Sequence, residues 1–352
     1  TLTVNGTING GLTNEMGATT SVTGAGDVTG AVTNSADLDL TGGTLGSLDN
    51  NAGGDVDVAS GGAVDTTVNN AAALDVNSGT LMVGGLTTNE ATGGLTVHAG
   101  AKIETDSLTN DGTINVDGTL SGTGNTFNNA GTTNVGDGGT VDHAGAIDNL
   151  AGGTFNFNGS GTLEVDTDGS GDEAIDNAGD MNYAGGAGTT VTIDAGDGTA
   201  DLINSGTFDL GADSKVSSND TLAISNTTGT VTVNAGAELD VDDIDNQAGG
   251  TIDNDGTITL GSGQSLTNAG TLELAGTVDG SLVNSDAGGD FDVTNGGNVD
   301  GTIDNAGDMD INSGTLTVAG LTTNEATGGL TVHAGAKIET DSLTNDGTIN
   351  VD

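Results

Sequence analysis

The amino-acid sequence predicts an all-β fold, specifically a parallel β-helix (β-solenoid) of about 20 residues per coil. Three observations carry that expectation. One short phrase recurs along the whole chain, the stretches between its copies alternate apolar and polar residues, and the 352 residues include no proline.

The recurring phrase is an apolar residue, one polar residue and then Asn, usually followed by a small pair such as Ala-Gly or Asp-Gly. It begins at Leu12, Val32, Leu48, Val68, Leu108, Phe127, Ile147 and Ile175, and continues at Ile224, Ile244, Leu266, Ile303 and Leu343. Fixed-period self-similarity is the mark of a repeat architecture, in which each unit buries its apolar face only by stacking on its neighbours. From Leu12 to Leu343 the chain has room for roughly 16–17 coils, a stack on the order of 80 Å at the inter-strand spacing.

Between the phrases stand segments such as "TLTV", "TFNFNGSGTLEV" and "TLELAGTV". Alternation over four to six residues is the signal of a half-buried strand, and clusters of Gly and Asn between such runs are turn chemistry. No segment has a helical period. Leu, Val and Ile are expected to line the inside, with Thr, Asp and Asn facing water. The recurrent Asn has two readings of equal weight: a residue that fits a turn, or a rung of an amide ladder along the axis.

Proline cannot donate to a β ladder and is confined to edges and bulges, so its absence fits a structure hydrogen-bonded between strands almost everywhere. The same composition limits the core. Aromatic residues are 2% of the chain and Gly numbers 65, so the interior must be thin and built from small side chains in rows. Low hydrophobicity with high net charge also marks disordered chains, but those are rich in Pro and poor in alternating Thr, Val and Ile. With no Cys, no disulfide framework is available.

A longer repeat contains the short one. Asn77 to Asp117 is written again from Asn312 to Asp352, an offset of 235 residues, with only Met82/Thr317 and Gly84/Ala319 different. The match extends more loosely to 46–117 against 281–352. The organisation expected is one continuous solenoid over 1–352, a piece of a longer repetitive chain whose partners are further copies of the same repeat.

Charge excludes several functions. The chain carries 51 acidic residues, Lys102, Lys215, Lys337 and no Arg, for a net charge of −48. Binding nucleic acid or anionic lipid needs the cations that are missing, and no run of apolar residues is long enough to insert in a membrane. Spread over an 80 Å stack, the charge amounts to about one per 1.7 Å, close to duplex DNA, so counterions must condense on it. Divalent cations are the natural partners.

Phrases such as "LTNDGTINVDGTLSG", "FNNAGTTNVGDGGTVD" and "LTNAGTLELAGTV" resemble the passenger repeats of bacterial autotransporters, filamentous-haemagglutinin-like exoproteins and large repetitive surface adhesins. The resemblance covers essentially the whole chain through composition and period. It implies a right-handed parallel β-helix displayed outside a bacterial, or archaeal, cell as a stalk, adhesin or biofilm matrix fibre. The residues contain no translocator barrel, no G-G-x-G-x-D run of the calcium β-roll, and no strict hexapeptide of left-handed helices.

The sharpest local candidate for chemistry is "DTDGSGDE", in which Asp166, Asp168, Asp172 and Glu173 alternate with Gly as a Ca²⁺ loop would require. A weaker one is "DAGDGTAD", with Asp194, Asp197 and Asp201. For both segments a solvated acidic loop is the favoured reading and the cation loop its alternative. "DVDDIDN", Asp240 to Asn246, alternates acids along one strand face; stacked carboxylates there would repel unless cations bridge them, and a merely hydrated acidic face is the favoured account. His98 and His333 occupy one repeat position, as do Lys102 and Lys337, so each pair should mark one surface feature used twice.

Catalysis is not expected: a polysaccharide-cleaving β-helix would need basic residues in its cleft, and no acidic pair stands out. A flat Thr array is also disfavoured, because the Thr positions drift in sequence from coil to coil. The function expected is an acidic, cation-binding structural fibre or stalk at the cell surface. The alternative is an adhesin that recognises a surface receptor or glycan, and a polysaccharide-active enzyme is a distant third.

Overall fold

The computed structural model describes residues 1–124, 126–165, 174–194, 199–218, 221–285 and 288–352, with backbone alone at 174, 194 and 199–201. Among them every regular element is a strand, and every pairing between strands is parallel. The chain forms a β-solenoid of about 16 turns. It divides into two compact units, Thr1–Glu173 and Ala174–Asp352.

A turn of the first unit shows the logic. Thr113–Val116 lies in one sheet, and Thr119–Gly122 and Thr126–Asn129 lie in the other. Each pairs with its counterpart one turn on: Thr113 with Thr132, Thr119 with Thr140, and Phe127 with Ile147. Because side chains alternate along a strand, equivalent residues form columns. Val56, Leu74, Leu95, Ile114, Thr133 and Phe155 make one such inward column. In the second unit the corresponding column is Met181, Phe208, Val231, Ile252, Leu272, Phe291, Met309 and Leu330.

The few aromatic residues are spent on inward positions. In the first unit the Phe127 and Phe155 rings meet edge-on with centroids 6.0 Å apart, and Phe155 stacks on Phe157 at 5.4 Å. In the second, Tyr183 packs on Phe208 at 5.0 Å. These five and Phe291 are buried.

Turns between strands rely on glycine where the chain must bend backwards. Gly100 and Gly335, at the same repeat position, have φ of 78° and 87°, a region closed to most side chains. Asp213, φ 62°, is the one non-glycine residue with positive φ among the described residues.

The recurrent Asn lies inside, which corrects the expectation that it faces water. In an apolar-x-Asn phrase the Asn is two residues after an inward side chain and therefore points the same way. Asn34, Asn70, Asn89, Asn110 and Asn129 are completely buried. The amide-ladder reading is the one realised. The phrase alone does not place a residue in the ladder, however: Ile252–Asp253–Asn254 has the same letters but belongs to the other sheet.

The Thr positions also depart from expectation, because register rather than sequence spacing aligns them. Thr113, Thr132 and Thr154 stack in the first unit, and Thr207, Thr230, Thr251 and Thr271 in the second. Loops of unequal length absorb the drift. The adjoining outward column holds Asn115, Asn134 and Asn156, or Asp209, Thr232, Asp253 and Glu273, so a T-x-T surface still does not form.

One nine-residue sequence in two settings shows where burial comes from. "KIETDSLTN" forms Lys102–Asn110, where the strands Thr119–Gly122 and Thr126–Asn129 cover it and Leu108 is 1% exposed. The same residues form Lys337–Asn345, and there Leu343 is 41% exposed. Burial belongs to the contact between neighbouring turns, as expected for a quasi-one-dimensional stack.

Candidate functional surfaces

The interior ladder is the most regular polar feature. In the first unit each Asn donates from Nδ2 to Oδ1 of the Asn one turn on, from Asn14 through Asn34, Asn50, Asn70, Asn89, Asn110 and Asn129 to Asn149, at 2.7–2.9 Å. In the second unit the series runs from Asn177 through Asn204, Asn226, Asn246, Asn268, Asn284, Asn305 and Asn324 to Asn345. The other Nδ2 hydrogen reaches a backbone carbonyl at the start of a strand in the other sheet, as from Asn50 to Ala73 at 2.7 Å and from Asn284 to Asp308 at 2.7 Å. The amide thereby ties the two sheets of a unit together and satisfies its own buried polar atoms. Glycines make room for it: a Cβ at Gly93 would lie 2.3 Å from the Asn70 carbonyl oxygen and 2.4 Å from Asn89 Oδ1.

Outward positions carry acid stacks that the sequence reading did not single out. Asp37 pairs with Asp55, and Asp39, Asp57 and Asp75 follow one another on successive strands. In the second unit Asp290 pairs with Asp308 and Asp292 with Asp310. Asp55, Asp57 and Asp75 correspond by the 235-residue repeat to Asp290, Asp292 and Asp310. Partial burial and then the neighbouring carboxylates push the carboxyl groups of Asp55 and Asp290 above the ordinary range, as like charges on adjacent rungs must. The recurrence of "DLDL", "DVDV" and "ALDV" at Asp37, Asp55 and Ala73 was the available signal.

"DVDDIDN" does not stack Asp240 or Asp245 on other carboxylates. Asp240 has Ser217 and Thr259 as register partners, and Asp245 has Ser225 and Thr267, so these carboxylates are separated by hydroxyl side chains. Asp242 accepts the Leu222 N–H at 2.8 Å, and Lys215 lies 2.5 Å from Glu238 and 3.6 Å from Asp240. Nothing in that geometry calls for a bridging ion.

The two histidine positions do share one arrangement. His98 Nε2 lies 3.9 Å from Asp75 Oδ1, and His333 Nε2 lies 3.9 Å from Asp310 Oδ1. Lys102 and Lys337 likewise each pair with the acid two residues on, Glu104 and Glu339.

Of the calcium candidates, Asp166, Asp168, Asp172, Glu173 and Asp197 lie outside the described residues. Asp194 and Asp201 fall in the strands Thr190–Asp194 and Thr199–Asn204, known there by their backbone alone; Asp201 is in register with Ala174. Among the described residues no three carboxylate or imidazole groups converge as a metal ion would need. A shallow groove of ≈ 620 Å³ in the second unit, lined by Asp290, Asp308, Asp310 and Thr327 together with Gly288 and Gly307, follows the acid stack. No helix among the described residues is long and apolar enough to cross a membrane. No protein-family model matches the chain, and no curated protein matches it.

Proposed function

We propose that the chain is a structural repeat element of an extracellular or cell-surface stalk or fibre, in which the number of stacked turns sets length and the acidic surface provides hydration and holds divalent cations. One observation carries the reading: a single turn design, with its buried Asn rung, is repeated from turn to turn within each of the two units. A protein selected for one binding event needs one distinctive site, whereas a spacer needs every turn to resemble the last.

The acid stacks fit that role through counterion condensation, with Ca²⁺ or Mg²⁺ held by the whole surface. The autotransporter-like and adhesin-like resemblance supports the surface location and the fibre reading together. Antibodies against residues 1–352 test it directly: on intact source cells they should decorate extended surface filaments under the electron microscope. Labelling confined to the cell interior overturns the proposal. Selective binding of the purified chain to one glycan or receptor would favour the adhesin, and turnover of a polysaccharide would favour the enzyme.

A further inference from the structure

His143 is the one inward histidine among the described residues, and its setting differs from that of the exposed His98 and His333. It follows Gly122 and precedes Val165 in an inward column, and it is 2% exposed. The imidazole occupies the space of a missing side chain: a Cβ at Gly122 would lie 2.0 Å from the ring Cδ2 and 2.2 Å from Nε2. The Phe127 ring stands on another side, 6.4 Å between centroids.

The two nitrogens are served unequally. Nδ1 is 3.3 Å from the Gly145 carbonyl and 3.2 Å from the Gly145 N–H, so one neutral tautomer donates there and the other accepts. Nε2 is buried with no protein partner. The neutral ring with its hydrogen on Nδ1 therefore leaves only a bare lone pair in the apolar slot. A second proton would place an N–H, and a charge, where no acceptor stands.

Charged groups do surround the slot, but on its outer side. Asp142 is on the same strand, Glu164 is its register partner on Gly161–Val165, and Asp106 belongs to Lys102–Asn110. Asp142 is engaged by the Ser121 hydroxyl at 3.2 Å, and none of these carboxylates reaches Nε2. Burial outweighs their attraction and lowers the tendency of His143 to take up a proton.

We propose that the turn carrying His143 is an acid-operated joint: a proton added to the imidazole loosens Thr140–His143 from Thr119–Gly122 and Gly161–Val165, while the flanking turns of the first unit stay stacked. Each turn of a solenoid is held only by its neighbours, so an opening can be this local. The Asp55 and Asp290 stacks shift in the opposite sense, since their carboxyl groups take up protons readily and protonation relieves their repulsion.

Hydrogen exchange of the full chain, read by mass spectrometry at about pH 7 and about pH 5 with intrinsic rates corrected, tests the joint. Protection of the backbone amides in Thr119–Gly122 and Thr140–His143 should fall by roughly tenfold at the lower pH, the scale of one unpartnered buried N–H. His143→Val, the residue type of its neighbour Val165, should abolish that fall. Unchanged protection in the natural chain, or an equal fall in the variant, overturns the proposal. An NMR titration of the natural chain's His143 ring gives a second reading independent of any variant: protonation at or above the ordinary histidine range, with Gly122 undisturbed, would also overturn it.

Discussion

Replacing Asn110 by Ala removes one rung from the middle of the first unit's ladder, and the structure sets the cost. Asn110 Nδ2 donates to Asn129 Oδ1 at 2.7 Å and to the Thr132 carbonyl at 3.2 Å, while its Oδ1 accepts from Asn89 Nδ2 at 2.8 Å and from the Gly112 N–H at 3.2 Å. Some partners are covered elsewhere, because Asn129 Oδ1 also receives the Thr133 hydroxyl and the Gly112 N–H also faces the Asn89 carbonyl. Two groups lose a bond, the buried Asn89 amide hydrogen and the part-buried Thr132 carbonyl. At about 1–3 kcal/mol for each, with a small cavity besides, Asn110→Ala should cost about 3–5 kcal/mol.

The outward face supplies the control. Asn115 takes part in a similar amide–amide bond, accepting from Asn134 at 3.0 Å, but on the solvent side of its strand. Asn115→Ala should therefore cost about 0.5 kcal/mol, since water replaces the partner. Native-state hydrogen exchange of the amides in Lys102–Asn110 and Thr126–Asn129 reads both variants locally, without requiring the two units to unfold together. Equal costs for the two, or a loss below about 1 kcal/mol for Asn110→Ala, would refute the claim that the buried ladder holds the turns together.

Four further outcomes follow from the same geometry. Asn110→Asp places a carboxylate against the acceptors Asn129 Oδ1 and Thr132 O; its folded pKa must rise, so melting curves should show a penalty that is full at neutral pH and recedes as pH falls toward the unfolded value of about 3.9. Burial and neighbouring carboxylates also raise the folded pKa values of Asp55 and Asp290 above the ordinary carboxylate range, which means their contribution is favourable below that range and lost as pH rises through the folded value; Asp55→Asn should raise the neutral melting temperature and give no gain in acid. Phe155→Ala, at a fully buried ring touching Phe127 and Phe157, should cost about 3–5 kcal/mol by denaturant unfolding. At low ionic strength the melting temperature should climb on adding Mg²⁺ or Ca²⁺ and drop on adding EDTA, because 48 net negative charges repel one another; an unchanged midpoint counts against cation binding.

The solenoid was legible because period is a one-dimensional property that sequence displays directly. The Asn phrase, the alternating runs and the absent proline all report on a chain hydrogen-bonded turn to turn. The direction of the Asn side chain was legible too, since residues i and i+2 of a strand share a face, but the expectation that polar residues face water outweighed that parity. Columns were harder. Ladder partners in the first unit lie between 16 residues apart, Asn34 to Asn50, and 21 apart, Asn89 to Asn110. Stacked Thr residues therefore look adrift until the loops are set aside, and the kinship of "DLDL" at Asp37 with "DVDV" at Asp55, visible as a recurrence, becomes a stack of acids only when register joins them. His143 is not legible as a buried histidine in the sequence, because its burial depends on Gly122 one turn before it.

The central claim is that successive turns stack in parallel register, and disulfide trapping measures register directly in a chain that has no cysteine of its own. Thr96 and Asn115 are outward register partners on adjacent turns, and Asn134 is one turn further. A cysteine pair at 96 and 115 should bridge readily, its Cα atoms being about 4.8 Å apart, while a pair at 96 and 134 should resist bridging at about twice that distance. Equal yields from the two pairs, or a preference for 96 with 134, would contradict the stack.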